Sequence, residues 1–448
     1  MEEERTQDEI AQHVDVRIPD SWDGSFTTTV VLKIGGSCLA DGPSIRMVVD
    51  RIAEIKARGI TPVIVVSALK GMTDALLDVA TNANGGHDPR LVDRIVAEGE
   101  QLSARILQTA CESAGVQARA VLLADPVFPV VTDDRHGHAK PLLDKTMQRS
   151  QAVLEPLLAD GIVPIVPGFV GMTLAGEITT LGRGGSDTTA VLLGRALHAR
   201  EIVLVKDVPG VCSADARTVD DVRTLPEMSV EEAAELAAYG GEVICPGSLA
   251  YKPADVPVRV VGLDAPDLLA GGTLITGELR SEVRVEVVGK ELAAVTVVGK
   301  GVGNERGLLG RCTGALADIG IDVVAVSTSG LSLCLYLDLD SVNAATQALH
   351  HVVLDGHRLS SVTARSGLMS LSVTGLEVGR GAISAIDTAL AREGIEVVDI
   401  ATRPSHATVV VDARDAERAR ESLAGAFAAD GPRTSLLVPR PAAGPIPS

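Results

Sequence analysis

Glu177-Ile-Thr-Thr-Leu-Gly-Arg-Gly-Gly-Ser-Asp-Thr-Thr-Ala190 gathers three glycines, one arginine and one aspartate into a run of small residues. Gly182, Gly184 and Gly185 let backbone approach a ligand closely, and Arg183 carries a planar fork suited to a carboxylate or phosphate. Ser186 and Asp187 stand where a following helix begins. The apolar pattern then continues as a helix over Asp187 to Leu197 and a strand, Glu201-Ile-Val-Leu-Val205. Upstream lie a helix over Lys145 to Leu158 and a strand, Ile162-Val-Pro-Ile-Val166. Glycine turns entering helices are common, so by itself the run fits a plain turn as well as a small anionic ligand site.

The same alternation runs back to Thr28. Val30-Val-Leu32 reads as a strand, Ile45 to Arg58 as a helix and Pro62-Val-Ile-Val-Val66 as a strand. A helix from Arg90 to Ala114 and a strand Ala120-Val-Leu-Leu123 follow. Strands apolar on both faces, alternating with helices, predict an α/β fold with a mainly parallel sheet sandwiched by helices.

Beyond residue 283 two segments repeat about 75 residues apart. The first holds Val295-Thr-Val-Val-Gly299, a helix ending Ala315-Leu-Ala-Asp-Ile-Gly-Ile-Asp-Val-Val324, and Leu331-Ser-Leu-Cys-Leu-Tyr-Leu337. The second holds Leu371-Ser-Val-Thr-Gly375, a helix ending Ala389-Leu-Ala-Arg-Glu-Gly-Ile-Glu-Val-Val398, and Ala407-Thr-Val-Val-Val411. Each predicts a ferredoxin-like β-α-β-β-α unit. The expected organisation is a flexible N-terminal extension (1–27), an α/β domain (28–282), and two ferredoxin-like units (283–366 and 367–433). A strand at 434–438 is expected to complete the first unit, with a frayed tail over 439–448.

Composition narrows the function classes. The chain has 448 residues, a formal charge of -19 and 2% aromatic residues, which argues against nucleic acid and anionic lipid as partners. Six scattered cysteines without a C-x-x-C pair fit neither a zinc site nor a disulfide framework. The opening Met1-Glu-Glu-Glu-Arg is acidic where a secretory leader is basic, and no apolar run is long enough to span a bilayer. A soluble cytoplasmic protein acting on a small molecule is the expectation, with no metal-ligand cluster in the chain itself.

Candidate chemistry collects at predicted strand ends. The first strand runs into Lys33-Ile-Gly-Gly-Ser-Cys38, where glycine amides can cradle phosphate oxygens and the ammonium can neutralise a transferring phosphoryl group. It is not a Walker-type loop. A second strand exits through Val65-Val-Ser-Ala-Leu-Lys70, making Ser67 a candidate contact. The strand at 201–205 ends in Lys206-Asp-Val-Pro-Gly210, a tight turn whose Asp207 can order ribose, metal or phosphate. Glu100, in Gly99-Glu-Gln-Leu-Ser103, falls on a helix, where a glutamate is more often at the surface.

Taken in order, these segments resemble the aspartate kinases of the amino acid kinase superfamily. The matching stretches are Lys33-Ile-Gly-Gly-Ser, Val65-Val-Ser-Ala, Gly99-Glu-Gln-Leu-Ser, Arg135-His-Gly-His-Ala, Gly168-Phe-Val-Gly and Thr180-Leu-Gly-Arg-Gly-Gly-Ser-Asp. Asp207-Val-Pro-Gly-Val, Ser213-Ala-Asp-Ala-Arg, Glu231-Glu-Ala-Ala-Glu-Leu-Ala and Gly272-Thr-Leu-Ile-Thr276 extend the match, and the repeats resemble ACT domains. The resemblance implies an amino acid kinase fold followed by two ferredoxin-like βαββαβ ACT domains. It implies phosphoryl transfer from ATP, with Mg2+, to the side-chain carboxylate of L-aspartate. Lys33 and Asp187 would be catalytic, and Ser67, Glu100, Arg183 and Ser186 would hold the amino acid. Lys33, Gly35, Gly36, Ser37, Lys206, Asp207, Pro209, Gly210 and Arg217 would contact nucleotide. A homodimer through the ACT half is expected.

Departures from the family pattern cluster on the nucleotide side. Cys38 stands where the family has serine, Lys206 where it has threonine and Cys212 where it has tyrosine. In Tyr239-Gly-Gly-Glu-Val-Ile-Cys-Pro246, Glu242 replaces a lysine that approaches the ATP phosphates in the family. That reversal is expected to weaken nucleotide binding by roughly several kcal/mol if the site is partly desolvated, and Lys206 is the candidate replacement cation. Ser327-Thr-Ser-Gly330 and Arg403-Pro-Ser-His406 lack the glutamate of the family's effector sites, so weak or altered feedback inhibition is expected. Two alternatives stay open: a non-catalytic ACT-bearing sensor or regulatory subunit, and a kinase for an aspartate analogue.

Overall fold

A computed structural model describes residues 29–84, 88–215, 217–241, 244–279, 283–355, 358–375, 382–403 and 406–429. The expected N-terminal extension, Glu242, Pro404 and Ser405, and the strand and tail expected beyond residue 433 lie outside the described residues.

The elements run β1 (Thr29–Ile34), α1 (Gly42–Ala57), β2 (Thr61–Val66), α2 (Met72–Asn84), α3 (Pro89–Ser113), β3 (Ala118–Ala120), α4 (Leu143–Ala159) and β4 (Val163–Pro167). A short hairpin, β5 (Val170–Met172) and β6 (Ile178–Thr180), leads to α5 (Gly185–Ala196) and β7 (Glu201–Lys206). Then come β8 (Glu227–Ser229), α6 (Val230–Ala238), α7 (Pro246–Leu249), β9 (Val258–Gly262) and β10 (Thr273–Thr276). The chain divides into two compact units, one formed by residues up to 226 with 255–274, the other by 227–254 with 275 onward.

In the first unit the strands lie in the order β3-β4-β2-β1-β7-β9, all parallel. Every residue of β1 is buried, as the continuous apolar run predicts for a strand covered on both faces. From β1 the chain builds outward first through β2 on one side and later through β7 on the other, so the strand order reverses at β1. Such a switch point leaves a crevice at the carboxyl ends of the central strands. The register aligns those ends: Ile34 lies between Val66 and Val205. The helices begin where local chemistry satisfies their free amides; Asp41 caps α1 by accepting from Ser44 N at 2.9 Å.

Three features depart from the sequence reading. Helix α2 and the β5–β6 hairpin were not expected; α2 buries little besides Ala80 and so lacks a strong apolar stripe. Strand β3 spans 118–120 rather than 120–123. Asp125 accepts from Leu122 N at 2.9 Å and turns the chain away there.

In the second unit the elements continue as β11 (Arg284–Val298), α8 (Leu308–Ala317), β12 (Ala325–Thr328), β13 (Ser332–Asp338), α9 (Val342–Asp355) and β14 (Ser361–Thr374). They end with α10 (Ala382–Arg392), β15 (Val397–Thr402), β16 (His406–Asp412) and α11 (Ala416–Ala429). The repeats share one antiparallel sheet, β12-β13-β11-β14-β16-β15. Strands β11 and β14 are long enough to serve both: Arg284–Val288 pairs with 370–374, while Leu292–Val298 pairs with 361–368 across a register shift. Each repeat packs its two helices on its half of the sheet, giving separate cores around Leu316 and Leu349 and around Ile386 and Leu423.

Candidate active site

At the carboxyl end of β1, Lys33 is buried and its Nζ lies 2.9 Å from Asp187 Oδ1. Lys206 Nζ, at the end of β7, lies 3.8 Å from Asp187 Oδ2. One buried carboxylate thus stands between two ammonium groups supplied by adjacent strands. Asp187 reaches this position because α5 starts at the switch point: Gly184, at φ 76°, takes the left-handed turn that a β-carbon disfavours, and places the aspartate in the first helical turn.

The glycines after β1 are shaped for close approach. Gly35 N donates to Val205 O at 3.1 Å, extending the ladder past Lys33. A β-carbon on Gly36 would come within 2.6 Å of Ala68 O, so this bend tolerates no side chain. Ser67 N donates to Ile34 O at 3.2 Å, which brings the end of β2 beside the same bend. Gly168, after β4, leaves room for Ser186; a β-carbon there would approach the Ser186 side chain to 2.7 Å. Behind the bend, Cys38 is buried with its Sγ 3.8 Å from Val205 O, and burial pushes its thiol pKa up. It fills space beneath the loop.

Glu100 corrects its surface expectation. It is 2% exposed, on the inner face of α3. Its Oε1 accepts from Ala68 N at 3.4 Å, while Oε2 is buried without a hydrogen-bond partner. Burial pushes its pKa from 4.5 up to about 7, with the amide contacts opposing weakly. A buried carboxyl group with one unused oxygen has the chemistry to accept a hydrogen bond from a ligand donor.

Other anticipated residues fall around this centre. Arg183 is exposed in the turn ahead of α5. Asp207, Pro209 and Gly210 continue from β7, and Gly262 packs beneath them with its β-carbon position 3.4 Å from Pro209 Cα. Cys212 is half-buried and bridges to Thr224 in the following loop. Arg217 is exposed and pairs with Asp215 in its own turn. Among the described residues no group of three or more His, Cys, Asp or Glu side chains is placed to hold a metal ion.

The sequence reading overlooked Asp93, which is 2% exposed and accepts from Thr180 Oγ1 at 2.6 Å. One signal was present: Asp93 and Glu100 are seven residues apart in α3 and therefore share a helix face.

A family model described as the amino acid kinase family matches residues 28–262, and one described as an ACT domain matches residues 295–353. The chain is 32% identical to an aspartokinase of Mycolicibacterium smegmatis over 423 residues, covering 90% of this chain and 96% of that protein. It is 37% identical to an aspartokinase of Corynebacterium glutamicum over 312 residues, covering 67% and 71%. Among solved structures, an aspartate kinase from Synechocystis shares the fold at TM-score 0.69 and 24% identity, over 89% of this chain and 69% of that one. E. coli aspartokinase III, crystallised with aspartate and ADP, aligns at TM-score 0.51 and 25% identity over 89% and 99%.

Proposed function

Because the chain belongs to the aspartokinases of the amino acid kinase family, we propose that the cluster at the ends of β1, β2 and β7 moves the γ-phosphoryl group of ATP onto the side-chain carboxylate of L-aspartate. A bond forms between that carboxylate oxygen and the γ-phosphorus, the bond from the γ-phosphorus to the β,γ-bridging oxygen breaks, and 4-phospho-L-aspartate and ADP result. The observation that carries this reading is the buried Asp187 between Lys33 and Lys206, at 2.9 and 3.8 Å.

Phosphoryl transfer asks a protein chiefly for position and charge. Lys33 neutralises negative charge on the transferring group, with the Gly35 and Gly36 backbone and Ser37 lining the phosphate path. Asp187 holds the two ammonium groups apart from bulk water and aimed at that path. Lys206 supplies a second cation on the nucleotide side. Asp207 and the Pro209-Gly210 turn support the nucleotide, with Arg217 at its outer side. A Mg2+ carried by the nucleotide would be held by Asp207, whose carboxylate suits a hard cation. Bound there, Mg2+ supplies further charge neutralisation.

The amino acid lies on the other side of Lys33. Arg183 grips its α-carboxylate, Glu100 Oε2 accepts from its α-ammonium, and Ser67 and Ser186 orient the reacting carboxylate. We place this enzyme in the cytoplasm: all six cysteines are unbridged, and no described helix is long and apolar enough to cross a membrane. Two copies joining through the paired ACT units belong to the same proposal, supported by the open outer edges of β12 and β15.

Acyl phosphate trapping with hydroxylamine, using purified protein, Mg-ATP and a panel of amino acids, tests the reaction. Signal with aspartate is expected. Signal confined to another acid would reassign the acceptor, and silence across the panel would return the chain to the sensor class.

A further inference from the structure

Asp93 has no part in the reaction as read above, yet it is among the most completely held carboxylates of the first unit. Thr180 Oγ1 donates to its Oδ1 at 2.6 Å, and Gly137 N lies 3.1 and 3.0 Å from its two oxygens. His136 Nδ1 lies 2.9 Å from Oδ2. None of these partners is a lysine or arginine. A carboxylate 2% exposed is costly unless its oxygens are occupied, so this set of donors fixes the surrounding backbone rather than merely decorating it.

What it fixes is the entry to the Arg183 turn. Thr180 closes β6, three residues before Arg183. Its carbonyl accepts from Ala139 N at 2.8 Å, and Leu181 N donates to Phe169 O at 2.8 Å. Gly182 rests against the loop that Asp93 organises, with its β-carbon position 2.8 Å from His138 Nδ1. Phe169 itself adopts φ 67°, a strained conformation for a residue with a side chain, and persists where neighbours over-determine it. The far end of the turn is anchored by Asp187 on Lys33. Arg183, exposed between these anchors, has a directional fork that is useful only if its backbone is set.

Helix α3 carries both Asp93 and Glu100 on one face. One rigid element therefore holds the acceptor for a ligand ammonium and, through Thr180, the base of the arginine that faces the ligand carboxylate. We propose that Asp93 is a positioning residue for amino acid recognition, setting the spacing between the two groups that read the substrate's α-ammonium and α-carboxylate. The proposal rests on Arg183 binding the α-carboxylate.

Steady-state kinetics with both substrates varied, on Thr180→Val, Thr180→Ser, Asp93→Asn and Arg183→Ala, with thermal unfolding of each, tests it. Losing the Thr180 hydroxyl to a buried carboxylate is expected to raise the aspartate KM about tenfold. The ATP KM stays within about twofold in the same enzyme, because the hub touches only the amino acid side. Thr180→Ser, which keeps the hydroxyl, restores the aspartate KM, and Asp93→Asn reproduces the split. A folded Thr180→Val with unchanged aspartate KM, or with both KM values raised together, would overturn the positioning role while a raised aspartate KM in Arg183→Ala left the Arg183 reading standing. An unchanged aspartate KM in Arg183→Ala would overturn both.

Discussion

Replacing Glu100 by glutamine separates what its carboxylate does for binding from what it costs the fold. Burial raises its pKa from 4.5 to about 7, so the folded protein holds the proton more tightly than the unfolded chain does. The sign follows from linkage: the stabilising effect of that proton is fully present below pH 4.5 and is lost as pH rises through about 7. Above that range the ionised carboxylate is buried at a cost of about 3 kcal/mol, the free-energy equivalent of the displacement. Glutamine keeps an oxygen for Ala68 N and carries no charge, so it escapes the cost. Near pH 8, without substrate, Glu100→Gln is expected to melt about 6 to 10 °C higher than the parent, and the gap narrows to a small remainder near pH 5. The same variant loses the proposed acceptor for the substrate ammonium, and its aspartate KM is expected to rise about a hundredfold or more. With Glu100 as that acceptor, aspartate binding in the parent would need the ionised form, so its KM is expected to increase about tenfold between pH 8 and pH 6. Scanning calorimetry across pH and initial-rate kinetics read both effects. A Glu100→Gln protein that melts no higher than the parent near pH 8 would refute the reasoning, whatever its activity.

Lys206→Ala removes the second cation facing Asp187 and is expected to raise the ATP KM about tenfold or more while changing the aspartate KM little; an unchanged ATP KM would sink the compensation argument. Gly36→Ala places a methyl 2.6 Å from Ala68 O and forces the phosphate bend open. Its kcat/KM for ATP is expected to fall about a hundredfold with the protein still folded by circular dichroism, since a misplacement on the order of 1 Å is that expensive in a positioning mechanism.

How far sequence carries depends on whether a residue's neighbours in the chain are also its neighbours in space. Lys33, Gly35 and Ser67 were legible because a buried parallel strand is apolar throughout and ends abruptly in polar residues, so the exit of β1 or β2 marks the sheet edge. Asp187 was legible because it closes a glycine turn into a helix. Glu100 was named as a candidate but its burial was not readable, because Glu98 and Gln101 beside it give that turn of α3 a polar appearance. Asp93 sits in Leu91-Val-Asp-Arg94, which reads as ordinary amphipathic helix, and its partners arrive from 43 and 87 residues away. The shared sheet of the repeats was hidden for a related reason. Both β11 and β14 cross from one repeat to the other, so each repeat's own residues supply only part of its sheet.

Under the proposed assignment of the site, its electrostatics explain how a chain of formal charge -19 can gather two anionic substrates. Long-range steering works against them, and at physiological salt it fades over about 8 Å. Local charge has to prevail, and Asp187 determines how. Two ammonium groups side by side without it repel, and each would turn toward solvent, where a cation does little for a developing phosphoryl charge. With it, Lys33 and Lys206 stay near one carboxylate and keep a net positive charge between them. When the phosphoryl group enters, the ammoniums need only divide their attraction between Asp187 and the phosphate oxygens, with little rearrangement. In the proposed mechanism Asp187 would be a sufficient partner for the lysines in the resting enzyme and an insufficient one in the transition state. That balance favours one carboxylate between two cations over a simple pair, in which the aspartate would neutralise the charge that transfer requires.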